Sequence, residues 1–165
     1  MAEVMNIFQA SPEPKQPSTF DFDKLTEQFR QHRNTDWTVA EAFLCLLLAA
    51  ASSDGVVAQE EQAEIRALTR RSRALKSVSE QQLAQANSVV VERLNSRPNG
   101  LQEACDSLPM DMRLPVFAHC VDIILADGVL LPVEAEFLNK ITAYLGLDPS
   151  DSKRVMEVLL VKNRF

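Results

Sequence analysis

Glycine is scarce in this chain: four in 165 residues, alongside one tryptophan and one tyrosine. That poverty argues against a sheet rich in aromatic side chains, and the abundant Ala, Leu, Glu and Gln favour helix instead. Basic charge is also short. Seventeen Lys and Arg against 23 Asp and Glu leave a formal net charge of −6, which argues against nucleic acid as the main partner, because phosphate binding needs a basic field. It argues equally against a dedicated site for a free oxyanion. The three cysteines, Cys45, Cys105 and Cys120, are odd in number and form no Cys-x-x-Cys pair. They read as buried reduced thiols rather than a disulfide framework or a metal knuckle. No apolar run is long enough to cross a bilayer; the longest, residues 39 to 51, is interrupted by Glu41. The first twenty residues have neither a basic stretch nor an apolar core of the secretory kind, so a soluble cytoplasmic protein is expected. Gly-x-Ser-x-Gly, phosphate-loop and His-Glu-x-x-His patterns are absent. His32 and His119 both lack a Glu three residues earlier, so the di-iron bundle pattern fails as well. Catalysis is not expected.

What is present organises into one all-α domain. A hydrophobic fraction of 46% suits a chain of this length with a substantial core. Residues 1–18 carry Pro12, Pro14 and Pro17 in a polar setting and read as a flexible tail. Residues 19–165 read as a single helical domain. Phe22, Leu25 and Phe29 fall on one helical face, predicting a first helix over 20–33. Thr38 and Glu41 fit a capping box opening an apolar helix that runs to Ala51. A helix from about Ala58 to Ser72 follows, with Ala63, Ile65 and Leu68 inward. Ser79 and Gln82 fit a second capping box for a helix to about Ser96, stopped by Pro98-Asn99-Gly100. A short helix near 101–107 precedes the apolar stretch "MRLPVFAHCVDIILA", where Pro115 marks either a first turn or a kink. Pro132 suits a first helical position; that helix runs to about Leu145 and stops at Gly146. Asp148-Pro149 caps a last helix to about 162, with Val155, Met156, Val158 and Leu159 on its buried side. The count is about eight helices. "SVVVERL", residues 88–94, is the best strand candidate, but it lies inside a capped helical pattern.

The chain also repeats itself. Shifted by seventy-three residues, Asp54, Gly55, Val56 and Glu61 fall on Asp127, Gly128, Val129 and Glu134. Apolar positions keep step: Leu44 with Phe117, Leu48 with Val121, Ala51 with Ile124, Val57 with Leu130, Ile65 with Leu138, and Leu68 with Ile141. The repeat halves, about 37–72 and 110–146, are each an apolar helix, an Asp-Gly turn and an amphipathic helix. Such a pair is expected to bury its apolar helices against each other about an approximate two-fold.

Two chemistries account for the acids. Gly supplies the left-handed backbone that ends a helix, Asp accepts backbone N–H groups in the turn, and a Glu in the next helix's first turn suits its unpaired amides and dipole. The same spacing is also the later half of an EF-hand loop, from its fifth position to its closing Glu. The earlier ligands are missing, since Ala50 and Ser52, or Ile123 and Leu125, stand there. One half-loop offers too few oxygens for calcium, which takes about six to eight. Two half-loops face to face would offer four carboxylates, carbonyls and waters. All-oxygen ligands favour a hard cation, calcium, magnesium or manganese, over zinc or copper. Capping explains each turn alone; it does not require the two Glu to match in spacing.

On "AASSDGVVAQEEQAEI" and "DIILADGVLLPVEAEFL" the chain resembles the TerB-like tellurite-resistance family, over about residues 37–146. That fold is shared with the N-terminal domain of membrane-anchored J-domain cochaperones. The resemblance implies a helical bundle with both sets of acids on one side as a divalent-metal site, here Asp54, Glu61, Asp127 and Glu134. It implies a stress-response role for tellurite, phage or toxic agents, as a component of a protein assembly peripheral to the cytoplasmic face of the inner membrane. No His-Pro-Asp tripeptide occurs, so J-domain activity is not implied. The alternatives are a metal-free helical interaction module and, more distantly, a metalloenzyme using the same acids around an open coordination position.

Other polar residues have plainer readings. Asp122 and His119, one turn apart on an apolar helix, are expected to face a polar seam or each other. Arg66, Arg70, Arg71, Arg73 and Lys76 cluster where the third helix ends. They suit a solvated helix C-terminus, with an acidic partner or lipid headgroups as the sharper possibility.

Overall fold

A computed structural model describes residues 35–55, 59–73 and 75–164. The tail expected at 1–18 and the helix expected over 20–33 lie outside the described residues. Seven α-helices are described: α1 Val39–Ala51, α2 Gln59–Arg71, α3 Glu80–Ser96, α4 Gly100–Ser107, α5 Met110–Ile124, α6 Pro132–Tyr144 and α7 Pro149–Lys162, with a single 3-10 turn at Leu125–Asp127. Among the described residues there is no strand, and "SVVVERL" lies inside α3.

Local chemistry sets the starts. The Thr38 hydroxyl accepts the Glu41 amide at 3.2 Å while the Glu41 carboxylate accepts the Thr38 amide at 2.9 Å. Ser79 and Gln82 exchange the same pair of bonds at 3.2 and 2.8 Å. Each box satisfies two orphan amides of the first turn. Pro132 and Pro149 both open their helices, where a missing N–H costs nothing. Asp148 caps α7 by accepting the Ser150 amide at 2.7 Å.

The repeat holds at the level of helix bounds. Adding seventy-three to Gln59 and Arg71 gives Pro132 and Tyr144, the limits of α6, and the last residues of α1 and α5, Ala51 and Ile124, are related the same way. Nine of thirteen α1 residues are buried, which makes α1 the central helix; it packs against α5, α3 and α4. The α1–α5 contact joins repeat-related segments: the Phe43 ring meets His119 edge-on at 5.7 Å, and the Cys120 thiol points at the Leu46 carbonyl at 3.6 Å. Leu44 and Phe117, Ala51 and Ile124, Ile65 and Leu138, and Leu68 and Ile141 are buried in both halves.

Two expectations need correction. Ala63 is exposed, so α2 buries a narrower stripe through Ile65 and Leu68. Val158 is 66% exposed; α7 packs on the core through Val155, Met156 and Leu159, as expected, with Leu160 in place of Val158. Of the two places offered for Pro115, the first turn is excluded: it stands further along, inside α5.

Long-range polar contacts close the bundle around α1. Arg93 stacks over the Trp37 ring, 4.7 Å from its centroid, and bonds Glu41 at 3.0 Å. Arg97 grips Asp36 with two bonds of 3.0 and 2.6 Å and reaches Glu103 at 3.0 Å. The hydrogen bond from Arg97 holds the Asp36 carboxyl down at about 2. Arg113 is buried and donates to the carbonyls of Leu108, Leu145 and Asp106 at 3.1, 2.8 and 3.3 Å. Those carbonyls belong to the ends of α4 and α6, which have no intrahelical donor.

Candidate acidic-turn site

Both turns are built by the same backbone bonds. The Ser52 amide donates to the Leu48 and Ala50 carbonyls, and the Leu125 amide to those of Val121 and Ile123. Gly55 donates its N–H to the Ser52 carbonyl at 2.9 Å; Gly128 donates to the Leu125 carbonyl at 2.9 Å. Every partner in one set is seventy-three residues from its counterpart. The two glycines have φ of 87° and 79°, the left-handed region that a side chain disfavours. The repeat is therefore a repeat of conformation as well as of letters.

The chain path orients the turns. Arg71, Ser72 and Arg73, at the end of α2, line one cavity with Asp111 and Met112 at the start of α5. Leu145, just past α6, is bonded by Arg113 near that same start. Both hairpins thus close where α5 begins, and both Asp-Gly turns are carried away from that end along helices of about 20 Å.

The four acids are placed differently. Asp54 is exposed in the first turn. Glu61 belongs to the first turn of α2, and its side chain lies outside the described residues. Asp127 is exposed, and its Oδ1 accepts the Val129 amide at 3.0 Å. Glu134 is buried, and its Oε2 accepts the Leu131 amide at 2.7 Å. The expected turn chemistry is thus realised at Asp127 and Glu134: the Asp holds its own turn, and the Glu reaches back to cap its helix. Leu131 has no side-chain acceptor to return the bond, so only half of a capping box forms. Among the described residues, no three His, Cys, Asp or Glu side chains gather in a set that could hold a metal ion.

Asp122 faces a polar seam, one of the two settings expected for it. Asp122 turns to α7, where it accepts two 2.6 Å bonds from the Lys162 ammonium and one of 3.0 Å from the Asn163 amide. Burial alone would raise the Asp122 carboxyl, but these bonds hold it below the ordinary Asp range. Burial lowers His119, whose ring packs edge-on against Phe43. The three cysteines are free and buried; burial pushes Cys45 and Cys105 up to about 12, and Cys120 upward too. These thiols are poor nucleophiles and poor ligands, since the thiolate is the reactive form.

The Lys162–Asp122 latch and the Arg113 brace have no forerunner in the sequence pattern. Their separations of 40 and 32 residues leave no local spacing signal. A charged residue inside an apolar helix, as both Asp122 and Arg113 are, is the one available hint.

Among the described residues no helix is long and apolar enough to cross a membrane. Compared with known families, residues 40–157 match the model described as Tellurite resistance protein TerB. The match extends past the 37–146 of the motif resemblance and takes in much of α7. No curated protein and no solved structure matches the chain.

Proposed function

The chain belongs to the tellurite resistance protein TerB family, and from that premise we propose that it is a non-enzymatic component of a tellurite-resistance or stress-response assembly, regulated by a divalent cation. The residues that would hold the ion are Asp54, Glu61, Asp127 and Glu134, with carbonyls and water completing the sphere. Their chemistry fits a hard cation, calcium first, with magnesium or manganese as alternatives. The ion would offset the mutual repulsion of the carboxylates and hold the two hairpins in one relative orientation that a partner reads. The observation that carries this reading is that both Asp-Gly turns share the bond from the glycine amide to the carbonyl three residues back and a left-handed glycine, and that both are carried away from the α5 start. Capping alone does not call for such a match.

A second reading, a metal-free interaction module, is favoured by one observation. Asp127 and Glu134 each already accept a backbone amide, which accounts for their presence without an ion.

Calorimetric titration of chelator-treated protein with Ca²⁺, Mg²⁺ and Mn²⁺ separates the two. Saturable binding with a rise in Tm is expected. Glu134→Gln and Glu61→Gln should each weaken it about tenfold, or roughly 1.4 kcal/mol. Glu134→Gln leaves a carboxamide oxygen that still accepts the Leu131 amide, so stability in chelator should change little. No heat of binding at millimolar ion leaves the interaction module.

A further inference from the structure

At the end of the bundle where both hairpins close, α1, the end of α2 and the first half of α5 enclose a half-open cavity of about 490 Å³. Its buried lining is mostly apolar, Phe43, Leu68, Met112 and Val116, with Ser72 and the half-buried His119 as its polar members. Its exposed edge carries Arg71 and Arg73, with Asp111 and Pro115 from α5. The volume falls within the range of ligand-sized sites and suits one or two large side chains. Arg66, Arg70 and Lys76 extend the positive edge, all exposed. Of these, Arg70 pairs with Glu80 at 3.2 Å across solvent. The Arg71 Nε donates to the Ala67 carbonyl at 3.3 Å, which fixes its stem along the helix end. In a chain of net charge −6, this edge is a local reversal of sign.

We propose that this cavity docks a peptide segment of a partner protein in which a large apolar residue is flanked by Asp or Glu. The apolar side chain fills the recess over Phe43 and Val116, and a flanking carboxylate meets Arg73 at the edge. Arginine forms paired hydrogen bonds with carboxylates, and desolvation of an apolar anchor supplies the larger share of such binding. Charge sign chooses the flanks: the arginines attract acids and repel basic segments. A lipid surface fits the geometry less well. Membrane docking needs apolar groups that protrude, whereas here the apolar surface is recessed; among the described residues next in sequence to the lining, Met110, 68% exposed, is the one large exposed apolar side chain. The inference deepens the assembly reading by naming a partner chemistry; it is independent of the cation reading, since it uses the opposite end of the hairpins.

The test pans a random displayed-peptide library against the full chain and measures the enriched peptides by fluorescence anisotropy. Enriched sequences should place Phe, Leu or Trp beside Asp or Glu. Arg73→Glu, on the surface and away from the core, should weaken them about tenfold or more. Pro115→Trp, which fills the mouth, should do the same, while Lys153→Glu on the exposed side of α7 should leave affinity within about twofold. Circular dichroism checks that each variant folds. Absence of enrichment, or enriched peptides indifferent to both Arg73→Glu and Pro115→Trp, overturns the proposal. Binding to phosphatidylglycerol vesicles in place of peptides, or self-association abolished by Arg73→Glu, overturns it in favour of a membrane or a second copy. Repeating the anisotropy with chelator and with calcium keeps the outcomes apart: failure of the ion titration leaves peptide binding intact.

Discussion

Ser52 and Leu125 hold the same place in the two turns and each accepts the amide of the glycine three residues on, yet Ser52 is exposed and Leu125 is 1% exposed. The contrast runs through both hairpins. Arg113 braces the far end of the second; its counterpart seventy-three residues earlier is Ala40. Asp122 latches α7 beside the second turn; its counterpart is Ala49. The Asn163 carbonyl lies 3.5 Å from where a Cβ on Gly128 would stand, whereas among the described residues nothing lies within 4 Å of the same point on Gly55. The second hairpin is pinned at both ends by polar contacts. The first is held through α1, around which α3, α4 and α5 pack. The two halves are thus anchored by polar contacts at different points: Arg93 and Arg97 tie Glu41 and Asp36, at the start of the first hairpin, to α3, whereas Arg113 and Asp122 tie both ends of the second.

The largest effect should come from removing the brace. Arg113→Met keeps much of the side-chain volume but strips the donors from three carbonyls. Unsatisfied buried acceptors cost about 1–3 kcal/mol each, and water entry will offset part of that, so a loss of about 3 kcal/mol is expected in urea unfolding. A loss below about 1 kcal/mol would mean that the second hairpin is not held at its far end by Arg113, and the contrast with Ala40 would lose its content.

A smaller and more even effect is expected at the glycines. Ala in the left-handed region costs about 1–2 kcal/mol, and the two φ values differ by only a few degrees. Gly55→Ala and Gly128→Ala should therefore destabilise by similar amounts, with Gly128 slightly the worse for its neighbour at 3.5 Å. Thermal unfolding of the pair measures this directly. A gap much above about 1 kcal/mol would show that surroundings, not backbone, dominate the turns.

What the sequence disclosed follows from the range of each interaction. The capping boxes at Thr38 and Ser79, Pro132 at a helix start and the Asp-Gly turns are local, and each is readable from a few adjacent letters. The seventy-three-residue repeat extends that reading to helix bounds, because buried positions such as Ile65 and Leu138 keep the same phase. Phase fails where a neighbour decides it. Val158 turns outward because α7 meets α5 through Val155 and Leu159, and no periodicity in α7 alone fixes that angle. The Trp37–Arg93–Glu41 cluster joins residues 52 or more apart, so it has no signature in any window. The candidate site was half legible: the local roles of Asp127 and Glu134 follow from their place in the turn, while the relative placing of the two turns depends on how α1 and α5 cross.

The smallest expected effect concerns the latch. Lys162 is more than half exposed and Asp122 about one-fifth, so screening limits the pair to about 1 kcal/mol or less. Lys162→Ala should lower stability by that amount at pH 7. The Asp122 carboxyl is held below its ordinary value in the folded protein, so its contribution is present above the unfolded pKa, about 4, and is lost as pH falls through the lower folded value. The wild type and Lys162→Ala should accordingly converge in Tm as the solution is acidified below about pH 4. Hydrogen exchange reads the same contact locally. The Gly128 and Gly55 amides make equivalent bonds of 2.9 Å, so excess protection at Gly128 measures what α7 adds to its turn. In Lys162→Ala that excess should shrink, bringing Gly128 towards Gly55. Protection unchanged by the substitution would assign the difference to the buried Leu125 alone, and the second turn would then differ from the first by packing rather than by a polar latch.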